Sequence, residues 1–318
     1  MNSFLVTGGA GFIGSHLVEE LVRRGARVRV LDNFITGKRD NVAPFKDRIE
    51  LIEGDIRDLE TCRRAVRGVD YVLHHAALIS VPLSIKDPVV THDINVSGTL
   101  NLLWASAEAG IKRFILASSA AVYGDAESLP LKEGEEGRPL SPYALSKFFG
   151  EKYCRYFYRT YALETISLRY FNVFGPRQDP LSPYASVIPQ FFEQALAGER
   201  LQIYGDGEQS RDFIFISDVV ESNFRAVGAP AEAVGGVYNI ACGERTTVNA
   251  LAAEINHLAG ISVEPHHIQP RPGDIRHSYA DIGRAKKLLG FVPRVNFPAG
   301  LEAAIVWYRK RRSNEPRI

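Results

Sequence analysis

Tyr143 and Lys147 stand four residues apart in Ser141-Pro142-Tyr143-Ala144-Leu145-Ser146-Lys147, and that pair could move a proton. Ser141 suits a helix N-cap and Pro142 the first helical position, where its ring presets φ and its missing N–H would have had no partner. The phenol then falls in the first turn, with the ammonium on the same face. A free tyrosine titrates near 10, so work as a base at neutral pH needs a shift of roughly three units, about 4 kcal/mol. The ammonium and the positive end of the helix both push that way. Ser118 and Ser119 close the apolar run Phe114–Ser118. If that run is a strand, their hydroxyls lie at the carboxyl edge of a sheet, where open parallel sheets bind ligands.

A second set of residues could hold the oxidant such a base would serve. Thr7-Gly8-Gly9-Ala10-Gly11-Phe12-Ile13-Gly14 joins a first strand to a first helix with GxxGxxG spacing. Gly8, Gly11 and Gly14 permit a tight turn and close backbone approach. The N–H groups from Phe12 and Ile13 onward open a helix whose positive end suits a pyrophosphate. Asp32 ends the second strand, followed by Asn33, and its carboxylate can accept both hydroxyls of a ribose. It would repel the 2′-phosphate of NADP, so the expected cofactor is NAD; Lys38 and Arg39 are the nearby cations that weigh against that preference. Gly54-Asp55-Ile56 follows the third strand, where Asp55 can reach an adenine amino group. The positive ring of oxidised NAD would be a third influence on Tyr143.

The elements that must position these groups are legible as an alternation. Strand patterns at Ser3–Thr7, Arg27–Leu31, Ile49–Glu53, Tyr71–His74, Phe114–Ser118 and Thr165–Arg169 alternate with amphipathic segments at Ser15–Arg24, Leu59–Val66, Val89–Ala109 and Tyr143–Tyr161. This predicts an α/β fold, a Rossmann-type doubly wound parallel sheet covered on both faces. After Phe171 the pieces shorten, with helical patterns at Tyr184–Ala197, Asp218–Val227 and Val248–Ala259. The expected organisation is an NAD-binding domain over residues 1–170, with a segment near 213–236 returning to it, and a smaller α/β substrate-binding lobe over 171–318.

With 318 residues, 24% of them charged and a net charge of +1, no global field favours nucleic acid or a membrane surface. Cys62, Cys154 and Cys242 are scattered and outside any CxxC spacing, so neither a disulfide framework nor a metal site is expected. No basic lead or long apolar stretch opens the chain, and the expected location is cytoplasmic. His74-His75 and His266-His267 lack plausible metal partners. Arg309-Lys310-Arg311-Arg312 closes a helix, where cations complement the dipole.

The glycine pattern, Asp32, His75-Ala76-Ala77, Ser119 and Tyr143-xxx-Lys147, with Arg169-Tyr170-Phe171-Asn172-Val173-Phe174-Gly175-Pro176 and Arg211-Asp212-Phe213, together resemble the NAD-dependent epimerase/dehydratase family of extended short-chain dehydrogenases, over essentially the whole chain. The resemblance implies that Tyr143 is the catalytic base, that Lys147 holds the nicotinamide ribose, and that Ser119 hydrogen-bonds the reacting hydroxyl. It adds Ala76, Ala77, Asn95 and Ser118 to the cofactor site. On the substrate side it implies Ser80, Ser84, Asn172, Val187, Arg211, Arg271, Asp274 and Ser278, with guanidinium groups suited to a diphosphate. Relatives often dimerise through the helices containing Val89–Ala109 and Tyr143–Tyr161, so a homodimer is expected.

Members of that family share oxidation of a sugar hydroxyl and then diverge. Dehydratases carry an Asp-Glu pair just after the serine or threonine, and UDP-glucuronate decarboxylases usually keep a Glu at the second of those positions. Here Ala120 and Ala121 follow Ser119, and a methyl group cannot transfer a proton. What remains is oxidation and re-reduction at one carbon, as in a UDP-sugar 4-epimerase. Hexose-restricted epimerases carry a bulky Tyr at the position matching Ser278, so the small residue implies room for an N-acetyl group and a UDP-N-acetylglucosamine/UDP-N-acetylgalactosamine substrate, with UDP-glucose/UDP-galactose beside it. Alternatives are a UDP-glucuronate 4-epimerase, another nucleotide-sugar epimerase/reductase, or a non-catalytic sensor of NAD or UDP-sugar.

Overall fold

The computed structural model describes residues 2–126, 128–135, 138–181, 185–270 and 275–314. Its strands are β1 (Ser3–Thr7), β2 (Arg27–Asp32), β3 (Ile49–Glu53), β4 (Tyr71–His74), β5 (Arg113–Ser119), β6 (Thr165–Tyr170), β7 (Asn172–Phe174), β8 (Gln202–Tyr204), β9 (Ser210–Arg211), β10 (Phe213–Phe215), β11 (Val237–Ile240), β12 (Thr246–Thr247), β13 (His266–Ile268) and β14 (His277–Ser278). Its α-helices are α1 (Phe12–Arg23), α2 (Leu59–Val66), α3 (Val81–Lys86), α4 (Pro88–His92), α5 (Gly98–Glu108), α6 (Pro142–Tyr161), α7 (Val187–Leu196), α8 (Ile216–Val227), α9 (Val248–Ala259), α10 (Gly283–Leu289) and α11 (Phe297–Asn314).

Seven strands form one parallel sheet in the order β11-β6-β5-β4-β1-β2-β3. Alternate residues of a strand feed opposite faces. Phe4 and Val6 of β1, with Ile115 and Ala117 of β5, join a core under α1 and α8; Leu5, Phe114 and Leu116 join the core under α2, α5 and α6. A strand buried on both sides reads as a continuous apolar run, which is why these were visible in sequence. The order reverses between β4 and β1, opening a crevice at their carboxyl ends.

The chain after 170 contributes to both parts. β11 pairs with β6, and α8 packs on the same core as α1. Arg113 of β5 fixes that helix by donating from Nη1 to the carbonyls of Ala226, Val227 and Ala229 at 2.8–2.9 Å, the groups a helix end leaves without partners. A separate core joins α7, α9 and α11 around Phe192, Phe213 and Tyr308. Beside it lie short strand sets, β12-β9-β14 and β13-β8.

The segment Val89–Ala109 is not one regular helix. A single π turn, Asp93–Ser97, separates α4 from α5. Asn95 sits in it, accepting from Leu78 N (2.7 Å) and donating to Leu78 O and Ser146 Oγ (2.9 Å each). A wider turn is a small local cost that these buried hydrogen bonds offset, and apolar periodicity does not report it.

Candidate active site

The glycine loop packs into the crevice between β1 and β4. Gly8 has φ +68°, and a Cβ there would lie 2.7 Å from Ala76 N, so only glycine lets the loop touch the chain leaving β4. At Gly14 a Cβ would meet Gly8 O at 2.1 Å, which explains the last glycine as a helix-on-loop contact. Gly11 caps α1 without any side-chain hydrogen bond, so the first helical N–H groups are left to a ligand. Asp32 is buried at the end of β2, with Oδ2 accepting from Ala10 N (2.9 Å) and Oδ1 from Phe34 N (2.8 Å). Burial pushes its carboxyl up against those two hydrogen bonds. The two nearby cations are both answered by carboxylates: Lys38 by Asp179 at 2.9 Å and Arg39 by Glu53 at 2.7 Å. A dinucleotide with free ribose hydroxyls fits this arrangement better than one carrying a 2′-phosphate. Asp55, held down to about 2 by Arg57, also accepts from Asn33 Nδ2 at 2.9 Å, which joins the loops after β2 and β3. Ile56 and Ala76 pack in the apolar core beneath these loops, and Ala77 follows, half-buried.

Ser141 caps α6 by accepting from Ala144 N at 3.1 Å, which starts the helix one residue before Tyr143. Ser119 ends β5, and its Oγ accepts from Ala121 N at 3.1 Å while hydrogen-bonding the Tyr143 side chain. Lys147 is buried, donates to Ala117 O at 2.9 Å, and lies 5.9 Å from the Tyr143 ring centroid. Burial pushes the Tyr143 phenol up and the Ser119 hydrogen bond pulls it down. Within the protein by itself desolvation is the larger effect on the phenol, so the downward pull expected of Tyr143 falls to the positive ring of bound NAD as much as to the lysine and the helix. The same desolvation pulls Lys147 down to about 8, opposed by Glu151.

Four expected contact residues make supporting hydrogen bonds within the protein. Ser84 is fully buried, donates to Val81 O (2.7 Å) and accepts from Tyr143 N (3.1 Å), so its hydroxyl docks the start of α6. Ser118 donates to Glu151 Oε1 at 2.5 Å, and Asn95 serves Leu78 and Ser146 as described above. Ser80 caps α3. Glu151 and Arg169 were not singled out for a role in sequence. Two signals were available: a carboxylate one helical turn beyond Lys147, and a guanidinium inside an apolar strand.

On the substrate side, Asn172 opens β7 and Val187 opens α7, both half-buried. Arg211 ends β9, and Ser278 lies beside it in the register of β14 with β9. Asp212 is fully buried and accepts from Cys242 N (2.8 Å), Gly243 N (2.9 Å) and Ala280 N (3.2 Å), fastening both flanking segments to the strand that carries Arg211. That clamp was also missed in sequence. Arg271 and Asp274 lie outside the described residues. Among the described residues no group of three His, Cys, Asp or Glu side chains could hold a metal ion, and no helix is long and apolar enough to cross a membrane.

Residues 4–241 match the model of the NAD dependent epimerase/dehydratase family. The chain belongs to that family. It is therefore an NAD-dependent enzyme by descent, and nucleotide-sugar 4-epimerases are among its near relatives. The UDP-glucose 4-epimerase of Mycolicibacterium smegmatis is 37% identical over 311 residues, covering 96% of this chain and 98% of its own length. The structure of a Thermotoga maritima UDP-glucose 4-epimerase with UDP-glucose superposes with a TM-score of 0.93 at 39% identity, over 98% of this chain and 99% of that one. A UDP-N-acetylglucosamine 4-epimerase of Methanobrevibacter ruminantium, solved with UDP-N-acetylmuramic acid, has the same TM-score, identity and coverage. Two members at equal distance thus differ in the sugar their names carry.

Proposed function

We propose that the chain is a UDP-sugar 4-epimerase whose pocket takes N-acetylated hexoses, interconverting UDP-N-acetylglucosamine and UDP-N-acetylgalactosamine and, with them, UDP-glucose and UDP-galactose. The observation that carries the acetylated reading is Ser278, a small side chain set directly beside Arg211 by the pairing of β14 with β9. The diphosphate is assigned to Arg211 together with Asn172 and Arg271, and further substrate contacts to Asp274, Ser80, Val187 and Ser278.

NAD, held by the Gly8–Gly14 loop, the α1 N-terminus, Asp32 and Lys147, supplies when bound a hydride acceptor and a positive ring. Tyr143 takes the proton of the carbon-4 hydroxyl, directly or through Ser119. Because Ser119 Oγ already accepts from Ala121 N, its own proton is available to the phenol or to the sugar oxygen. The 4-keto sugar turns in the pocket, and Tyr143 returns the proton as the other face is reduced. Ala120 and Ala121 offer no group to expel water or to assist decarboxylation, so the keto sugar has re-reduction as its exit.

The test is turnover of UDP-glucose and UDP-N-acetylglucosamine side by side in wild type and Ser278→Tyr. Wild type should epimerise both, and the variant should lose the acetylated substrate at least tenfold more than the plain one. Unchanged activity on the acetylated sugar in Ser278→Tyr would remove Ser278 from the specificity argument. A wild type acting on UDP-glucuronate alone would favour that epimerase instead.

The chain is further proposed to work as a homodimer. Leu145, Phe149, Tyr156 and Tyr161 of α6 are exposed, and Trp104 of α5 meets Tyr161 edge-on at 5.5 Å, an apolar face of the kind buried between subunits. Light scattering of Phe149→Glu beside wild type distinguishes a dimer that falls apart from a native monomer.

A further inference from the structure

Lys147 and Tyr143 share α6 with Glu151, which lies one turn beyond the lysine and is 2% exposed. Arg169, fully buried on β6, donates to that carboxylate from Nε (2.8 Å) and Nη2 (2.7 Å). Ser118, the neighbour of Ser119, completes the arrangement by donating to Oε1 at 2.5 Å. Register pairs Ser118 with Arg169, so a single carboxylate ties β5, β6 and α6 together immediately beneath the site. Burying two charges is costly, and apolar side chains would fill the same space at no such cost. Strength alone is therefore a poor account of this pair.

The charge balance offers a better one. Lys147 faces Tyr143 and Glu151 on its own helix, the Ala117 carbonyl on β5, and His74 and His75 at the end of β4. Burial holds both imidazoles neutral, well below their usual range. The charged neighbours of the lysine are then Glu151 and, through it, Arg169. We propose that Glu151 is a positioning residue for the epimerisation proposed above, holding Ser119 and Tyr143 at a fixed separation and keeping Lys147 protonated, with Arg169 limiting how strongly the carboxylate acts. The carboxylate favours the ammonium that burial opposes. The guanidinium prevents the carboxylate from standing as an uncompensated charge.

This account gives two substitutions opposite effects. Glu151→Gln keeps a side-chain oxygen for Ser118 but removes the negative charge between Lys147 and Arg169, so the Lys147 titration midpoint should fall by about one pH unit. Arg169→Met leaves Glu151 unopposed, and the midpoint should rise by a similar amount. The double variant, lacking both charges, should return to within about half a unit of wild type. The midpoint is read by NMR on protein labelled with ε-carbon-13 lysine, with the resonance assigned by its loss in Lys147→Met, and thermal melts confirm folding. The alkaline limb of the kcat profile should move in the same directions.

Shifts of the same sign in the two single variants, or no shift, overturn the proposal, because a purely structural role predicts no opposition. Should Arg169→Met not fold, the fall in Glu151→Gln and its reversal in the double variant decide, and a midpoint that stays low in the double variant counts against the idea. The midpoint does not depend on turnover. Absence of epimerase activity in wild type would therefore defeat the functional reading while leaving this test standing.

Discussion

Two buried carboxylates hold the two halves of the site, and they do it differently. Glu151, under the sheet, answers a guanidinium and a hydroxyl from neighbouring strands. Asp212, in the lobe, answers three backbone N–H groups. The consequence is visible in Asp212, which burial pushes up to about 6 because hydrogen bonds alone do not offset its desolvation. The proposed catalytic floor is thus fixed by paired charge between long regular elements. The proposed substrate wall is fixed by backbone N–H groups that follow β11 and β14, beside the two-residue strands β9, β12 and β14. On the proposed function, groups of the first kind would govern chemistry, and groups of the second would govern which sugar nucleotide is held and how tightly.

The comparison breaks most visibly at the floor. Tyr143→Phe should lower kcat by about a thousandfold, the scale of a lost acid–base group, while NAD content and fold stay as in wild type. Equal turnover with NAD bound would place the base elsewhere.

Asp212→Asn should act on the wall instead, raising KM for the sugar nucleotide about tenfold with kcat within about twofold, since one N–H would then face an amide NH2. A kcat collapse at unchanged KM would merge the two regions. The same variant carries a pH signature. Asp212 titrates near 6 in the fold and near 3.8 otherwise, so the native state keeps a proton that the unfolded chain has lost. Its contribution is fully present below about 4 and is lost as pH rises through 6, an effect of about 3 kcal/mol. Denaturant melts should show wild type losing stability relative to Asp212→Asn by up to that amount between pH 4 and 7.

The smallest effect lies where the halves meet. Asp179→Asn removes an exposed ion pair worth under about 1 kcal/mol and frees Lys38 near the Asp32 loop. Discrimination against NADP, measured by binding, should weaken by about threefold or less. A hundredfold change would make Asp179, rather than Asp32, the main discriminator.

What was legible in the sequence follows from range. The glycine loop, the Ser141 cap and the Tyr143–Lys147 spacing are local, and the parallel sheet announces itself because strands buried on both faces are apolar throughout. The supports were hidden for the same reason. Glu151 meets Arg169 across 18 residues, and Asp212 meets Ala280 across 68. The serine at 84 looks like any other hydroxyl near the site until its burial shows it serving Tyr143 N. The opposing pull of desolvation on the phenol was also hidden, because sequence displays nearby charges but not burial.

The return of β11 and α8 to the sheet bears on how the chain is made. A ribosome that has released residues up to 170 has delivered the glycine loop, Tyr143 and Lys147, but β6 is still an edge. Its backbone groups await β11, about seventy residues later, and the Arg113 guanidinium has no helix end to bind. For that interval the nascent chain displays the bare rim of an apolar parallel sheet, the surface most prone to pairing with a stranger. The strands around the glycine loop precede the lobe along the chain, yet their sheet is completed only once β11 and α8 have been made.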